Sequence, residues 1–174
     1  LGSSLRQQTP ILEDLGRRIP NTLQLGILAL LISATLGISL GVISAIKHGS
    51  LTDNFTMLGA LAGVSMPNFW LGLLLMLLLG LHFGILPISG YGGPIWTWEG
   101  FKHALMPAFT LGTAGAGILA RFTRSSMLDV INQDYVRTAR AKGLTYRTVI
   151  TRHALKNALI PIITLLGLEF GSML

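Results

Sequence analysis

Residues 23–46 read LQLGILALLISATLGISLGVISAI, a stretch without a single charged side chain. A helix of about 20 mostly apolar residues crosses the hydrocarbon of a bilayer, so this stretch predicts a membrane span. Working outward, Lys47-His48-Gly49-Ser50 closes it. A second apolar stretch, residues 55–81, is interrupted by Pro67 and is densest from Trp70 to Leu81. Proline removes a helical hydrogen bond and bends the axis, which neighbouring helices must compensate inside a membrane. Residues 82–103 are rich in Gly, Pro and aromatics, among them Pro87, Gly90, Tyr91, Trp96 and Trp98. They predict a loop whose amphipathic rings suit the headgroup level. A short third span follows at 104–120, with Gly112, Ala114, Gly115, Ala116 and Gly117 at its centre. Residues 121–157 are polar, and a fourth span is expected at 158–174. Before the first span, Ile11, Leu12, Leu15 and Ile19 fall on one side of a helix and Glu13, Asp14, Arg17 and Arg18 largely on the other. An interfacial amphipathic helix ending at Pro20 is expected there. The whole reads as an all-α, polytopic transmembrane bundle forming a single domain, residues 1–174.

Composition agrees. The chain is 51% hydrophobic and only 11% charged, with a mean hydropathy of +0.62. Soluble domains carry about 25% charged residues, so a chain this poor in charge cannot coat a water-facing surface. The absence of Cys excludes disulfides and thiolate metal sites. Residue 1 is Leu and residue 174 lies in an apolar run, so an internal piece of a longer chain, cut at both ends, is expected.

The net charge of +6 matters less than its placement. Arg121, Arg124, Arg137, Arg140, Lys142, Arg147, Arg152 and Lys156 all fall in residues 121–157, whereas residues 82–103 hold only Lys102. Basic loops stay in the cytoplasm. Residues 121–157 and 47–54 are therefore expected inside, residues 82–103 outside.

Glycines spaced by four, Gly37/Gly41, Gly59/Gly63 and Gly80/Gly84, predict close helix packing. No charge interrupts the first three spans, and Glu169 alone stands in the fourth. Ion-driven carriers place ionisable groups within their spans, so the energy for any transport is expected from elsewhere. His48, His82, His103 and His153 are scattered, without a HExxH pair, and there is no Gly-x-x-x-x-Gly-Lys-Ser/Thr phosphate loop. The chain is read as a non-enzyme, with no catalytic, metal or cofactor site of its own.

The most informative stretch runs from Asp134 to Asn157. Residues 126–142 can form a helix that Gly143 ends as a left-handed C′ residue. Thr145 can cap a second helix, and Val149, Ile150, Ala154 and Leu155 give that helix an apolar side. Two short helices joined by a tight turn are expected beneath the membrane. A DNA-binding helix-turn-helix uses similar local chemistry, but fixing it between two spans argues against nucleic acid as partner.

Here the chain resembles a known family. The segment 134–157 is similar to the EAA loop of binding-protein-dependent ABC importers. DYVRTARAKGL (134–144) and RHALKNALIP (152–161) resemble the dipeptide, oligopeptide and nickel permease subfamily in particular. So do LGRRIPNTLQL (15–25), SMPNFWL (65–71), GILPISG (84–90) and LARFTRSS (119–126), in that order along nearly the whole chain. Arg137 and Thr138 stand where the wider EAA pattern has Glu and Ala, and Lys156 replaces a Pro; the subfamily commonly departs this way. The resemblance implies the permease core of a type I importer, in a bacterial or archaeal inner membrane. It implies a second permease subunit, expected to be a non-identical homologue, two cytoplasmic ATPase subunits that use the ATP, and an extracytoplasmic substrate-binding protein. It implies peptide as solute, with nickel, glutathione or opines as alternatives. Tyr135, Arg137, Ala139, Arg140, Gly143, Leu144 and Arg147 become the candidate contacts with the ATPase. Ser65, Pro67 and Asn68 become candidates for a bend facing the pathway. A membrane-anchored regulator whose basic loop binds anionic lipid or nucleic acid is the alternative from another class.

Overall fold

The computed structural model describes residues 11–173, with side chains from Leu15 onward except Arg17. All regular elements among the described residues are helical: α1 (Ile11–Ile46), α2 (Leu51–Ser65), α3 (Asn68–His82), α4 (Trp98–Ile131), α5 (Asp134–Ala141) and α6 (Tyr146–Met173). The last turns of α3 (Met76–His82) and an early stretch of α6 (Val149–Ala154) are wound as π-helix. α1 from Arg18, α4 and α6 are each long and apolar enough to cross a membrane, and α2 with α3 would make a fourth crossing as a bent pair.

The element bounds differ from the sequence expectation in four places. First, α1 runs through Pro20 without a break. Proline withholds one hydrogen bond from the carbonyl four residues back; Gly16 and Pro20 are both exposed, so that carbonyl can be satisfied outside the bundle. Of the residues assigned to an amphipathic segment here, Ile11, Leu12, Glu13, Asp14 and Arg17 have side chains outside the described set.

Second, residues 55–81 are not one straight span. Met66 (φ −81°, ψ 122°) and Pro67 (φ −62°, ψ 133°) are both extended, and α2 and α3 meet at 100°. The proline ring keeps the preceding residue out of the helical region, so two extended residues accumulate where one kink was expected.

Third, α4 is 34 residues long rather than the expected 104–120. It starts at Trp98, where the Thr97 hydroxyl accepts the Gly100 N–H at 3.1 Å. At 1.5 Å per residue it is roughly 50 Å long, well beyond the ~30 Å hydrocarbon layer. The basic residues Arg121 and Arg124 therefore belong to this helix and not to a separate loop.

Fourth, the expected helix over 126–142 is split at Asn132 and Gln133, and the helix after Thr145 continues without interruption into the last apolar segment. The expected pair of short helices is one short helix and the start of a long one.

The core lies between α1 and α4. Gly26, Ala29, Ser33, Gly37, Gly41, Ser44 and Ala45 form the buried side of α1. A Cβ added to Gly37 would stand 2.7 Å from Leu119 Cβ and 2.9 Å from Ala116 O; one added to Gly112 would stand 2.6 Å from Ala29 O. Small residues let the two backbones approach until packing itself holds them. The other expected glycine pairs do not act this way. Gly59 faces open space, Gly63 meets Thr113 at ordinary distance, and Gly80 packs on the loop residue Ile88. α6 crosses the same seam, burying Ala158, Ile162 and Glu169.

Candidate functional site

α5 ends in a Schellman turn. Gly143, at φ +78°, donates to Arg140 O at 2.9 Å, and Leu144 donates to Ala139 O at 3.4 Å. Glycine adopts this left-handed conformation without a Cβ clash, as expected from the sequence. The Thr145 hydroxyl then accepts the Thr148 N–H at 3.4 Å, starting α6. Five residues after the end of α5 the chain is helical again and running back into the bundle.

Two contacts hold α5 in place. Val136 and Ala139 bury themselves against Val149 of α6, with Val130 of α4 beside them. The Asn157 amide donates to the Tyr135 hydroxyl at 2.7 Å. The candidate contact residues consequently divide. Arg137, Arg140, Gly143, Leu144 and Arg147 are exposed, and Tyr135 is exposed while its hydroxyl is engaged on Asn157. Ala139 is buried in the cluster and packs α5 onto α6. Arg137 lies 3.7 Å from Asp134, both highly exposed. A pair of that kind contributes little to stability, which leaves the Arg137 charge free for an outside partner.

At the other candidate position, Ser65, Pro67 and Asn68 sit at the 100° bend. The bend separates them. Asn68 lines a cavity of about 650 Å³ shared with Ser89, His103, Met106 and Thr110, while Ser65 and Pro67 line a separate groove with Trp70, Phe69 bordering both. The cavity is an open cleft lined by α3, α4 and residues 87–90. That loop belongs to the same end of the bundle as the start of α1: Tyr91 donates to Asn21 Oδ1 at 3.1 Å, and Ile95 N–H to Gln24 Oε1 at 3.0 Å.

Two buried polar groupings were not anticipated from the sequence. At the end near α5, Asp53 lies buried and is gripped by Arg124, Nε to Oδ1 at 2.7 Å and Nη2 to Oδ2 at 2.8 Å. It also accepts the Ser44 hydroxyl and the Gly49 N–H, the latter at 2.9 Å. Ser50-x-x-Asp53 is a capping signature that could have marked the start of α2; the arginine partner is 71 positions away and had no local signal. In the middle of the seam Ser33 donates to Glu169 Oε2 at 3.1 Å, with Gly115 packed beside them. Glu169 Oε1 has no hydrogen-bond partner among the described residues. Gly115 leaves room for this carboxyl: a Cβ there would stand 2.8 Å from Ser33 Oγ and 3.0 Å from Glu169 Oε1.

Comparison with known proteins agrees with this architecture. The chain is 38% identical to the dipeptide transport system permease protein of Escherichia coli over 198 aligned positions, covering 100% of this chain and 58% of that protein. It is 41% identical to the di/tripeptide transport system permease protein of Pseudomonas aeruginosa over 195 positions, again 100% of this chain and 58% of the relative. It is 38% identical to the glutathione transport system permease protein of Salmonella typhimurium over 173 positions, 99% of this chain and 54% of the relative. The chain thus spans a little over half the length of the curated relatives it matches. A family model described as the inner membrane component of binding-protein-dependent transport systems matches residues 37–174. With an all-α set of apolar helices around a small-residue seam and a capped helix held outside it, this multi-pass membrane protein belongs to the family of inner membrane components of binding-protein-dependent transport systems.

Proposed function

We propose that this chain is part of one permease subunit of an ATP-driven importer of peptides. The subunit forms half of the translocation pathway beside a second, non-identical permease subunit. An extracytoplasmic binding protein delivers the solute. Two cytoplasmic ATPase subunits supply the energy, with ATP bound on them and no cofactor on this chain. The observation that carries the reading is α5: a short helix with exposed Arg137, Arg140 and Leu144, anchored to the bundle through Val136, Ala139 and Tyr135. A helix so held can receive a push from a partner and pass it to α4 and α6. Its basic surface and the nearby Arg147 support a cytoplasmic position for residues 121–157, with residues 82–103 outside. The dipeptide and di/tripeptide names of the relatives support peptide as solute.

Glutathione is the second reading, and one observation favours it. The alignment to the dipeptide relative runs over 198 positions against 174 residues of this chain, so it contains insertions. The alignment to the glutathione relative runs over 173 positions at 99% coverage, close to gap-free. Uptake of labelled dialanine by cells expressing the full transporter, in competition with unlabelled dipeptides, glutathione and nickel, separates these solutes. Peptides are expected to compete; competition by glutathione alone would move the assignment to the second reading. Co-purification of ATPase subunits with the full-length subunit tests the class. Their absence, with anionic lipid or nucleic acid retained instead, would favour a membrane-anchored regulator.

A further inference from the structure

The Asp53 node lies where α1 ends, α2 begins and α4 passes. One carboxylate accepts from Ser44 on the last turns of α1, from the Gly49 amide in the turn, and from both Nε and Nη2 of Arg124 on α4. Asp53 is 2% exposed. A bidentate guanidinium–carboxylate pair is directional as well as strong, because two parallel bonds fix the relative orientation of the two planes. Seven residues beyond Arg124, α4 ends, and only Asn132 and Gln133 separate it from α5. On the other side of the node, α2 runs along α4, with Ala60 and Val64 on Gly117 and Gly63 on Thr113, as far as the bend at Met66–Pro67. The contacts between α2 and α4 thus start at the ion pair and stop at the hinge. α3, beyond the hinge, presents Phe69, Leu73, Leu77 and Leu81 outward and borders the cavity with Asn68.

Resting on the permease reading above, we infer that Asp53 and Arg124 are positioning residues for transport: they clamp α2 to α4, so that a displacement received at α5 is delivered to the Pro67 hinge. Neither residue touches solute or nucleotide in this role. The clamp makes the turn between α1 and α2, the whole of α2 and the inner end of α4 move as one body. The bend at Pro67 is then the first place where the motion can change direction. Without the clamp α5 would still dock and α4 would still move, but α2 would lag behind it.

The test has two arms. The chain has no native Cys, and Asn54 and Arg121 line one groove across α2 and α4 beside the clamp. In the first arm the full-length subunit alone, carrying Asn54→Cys and Arg121→Cys, is treated with a short bis-maleimide, with and without Arg124→Lys or Asp53→Asn. Cross-link yield is expected to fall severalfold in both variants at normal membrane levels; an unchanged yield overturns the clamp. In the second arm the intact transporter carrying Arg124→Lys is reconstituted. Lysine keeps the charge but cannot make the bidentate pair, so uptake per ATP hydrolysed is expected to fall about tenfold while ATPase subunits still co-purify. Uptake and hydrolysis that stay normal, or that decline together in proportion to membrane level, would assign the pair a merely structural role. If ATPase subunits do not co-purify even with the unsubstituted subunit, the permease reading fails, and the first arm still decides the clamp.

Discussion

The α1–α4 seam and the α5 turn are held by different physics. In the seam, glycine, alanine and serine bring two long helices together, and Gly37, Gly41 and Gly112 meet backbone carbonyls of the opposite helix. Lipid tails are as apolar as the side chains they would replace, so close packing carries the association of α1 with α4, and the Ser33–Glu169 hydrogen bond ties α6 onto the same seam. At α5 the contact is small and apolar: Val136, Ala139 and Val149, surrounded by charge. There water drives the burial. A seam built on proximity has no slack. A helix seated by three side chains can shift while remaining attached. The first holds the bundle together, and on the proposed permease reading the second passes a displacement on.

The strongest way to break this comparison is to force the seam apart. Gly41→Leu places a Cβ 2.5 Å from Thr123 Cβ and 2.6 Å from Ala120 O, with a whole side chain behind it. Overpacking of this kind costs about 1–3 kcal/mol and more where backbone cannot yield, so the subunit is expected to disappear from the membrane fraction on immunoblotting. Normal levels would mean that the seam tolerates separation. Next comes the seat of α5. Val136 is fully buried, and burying a valine is worth about 1.5–3 kcal/mol, so Val136→Ala should loosen α5 without affecting insertion. Limited trypsin digestion at Arg137, Arg140 or Lys142 should accelerate while the membrane level stays at wild type.

A smaller effect is expected at Gly143. Its added Cβ would meet no neighbouring atom, but its φ is +78°. Gly143→Val therefore carries only backbone strain, of about 1–2 kcal/mol. The variant should insert normally, lose ATPase co-purification and lose uptake; wild-type values for both would make Gly143 a simple loop residue. The smallest effect sharpens the comparison from the opposite side. Arg137→Gln removes an exposed charge paired at 3.7 Å with a likewise exposed Asp134, so thermal stability in detergent should not change measurably. Binding of the ATPase subunits should weaken, and more so at low salt, where screening is least.

Local signals in the chain are legible where the physics is local. Gly143 as a left-handed stop, Thr145 as a cap, Pro67 as an interruption and the apolar stretch 23–46 each depend on a few neighbouring residues. Gly115 stands in a dense run of small residues, but only the structure shows that it packs against Ser33 and Glu169. The misreadings share a cause. Pro20 reads as an end and residues 121–125 as lying outside any helix, because polarity and helix-breaking chemistry do not say which side each residue turns to the bundle; for the same reason nothing local marks Ala139 as buried.

What the sequence by itself determined is the class of molecule: a helical, multi-pass membrane protein with its basic residues gathered at one place, related throughout to one family of permeases. Hydropathy and motif order suffice for this, since they depend on composition along the chain. Only the tertiary structure decided which glycines meet a neighbouring backbone, how sharply α2 and α3 part at Pro67, and that Asp53 pairs with Arg124 and Glu169 with Ser33. These pairings join residues 71 and 136 positions apart. A carboxylate in a sequence carries no mark of its partner; the partner is selected when helix packing brings one donor within reach and excludes water from the rest.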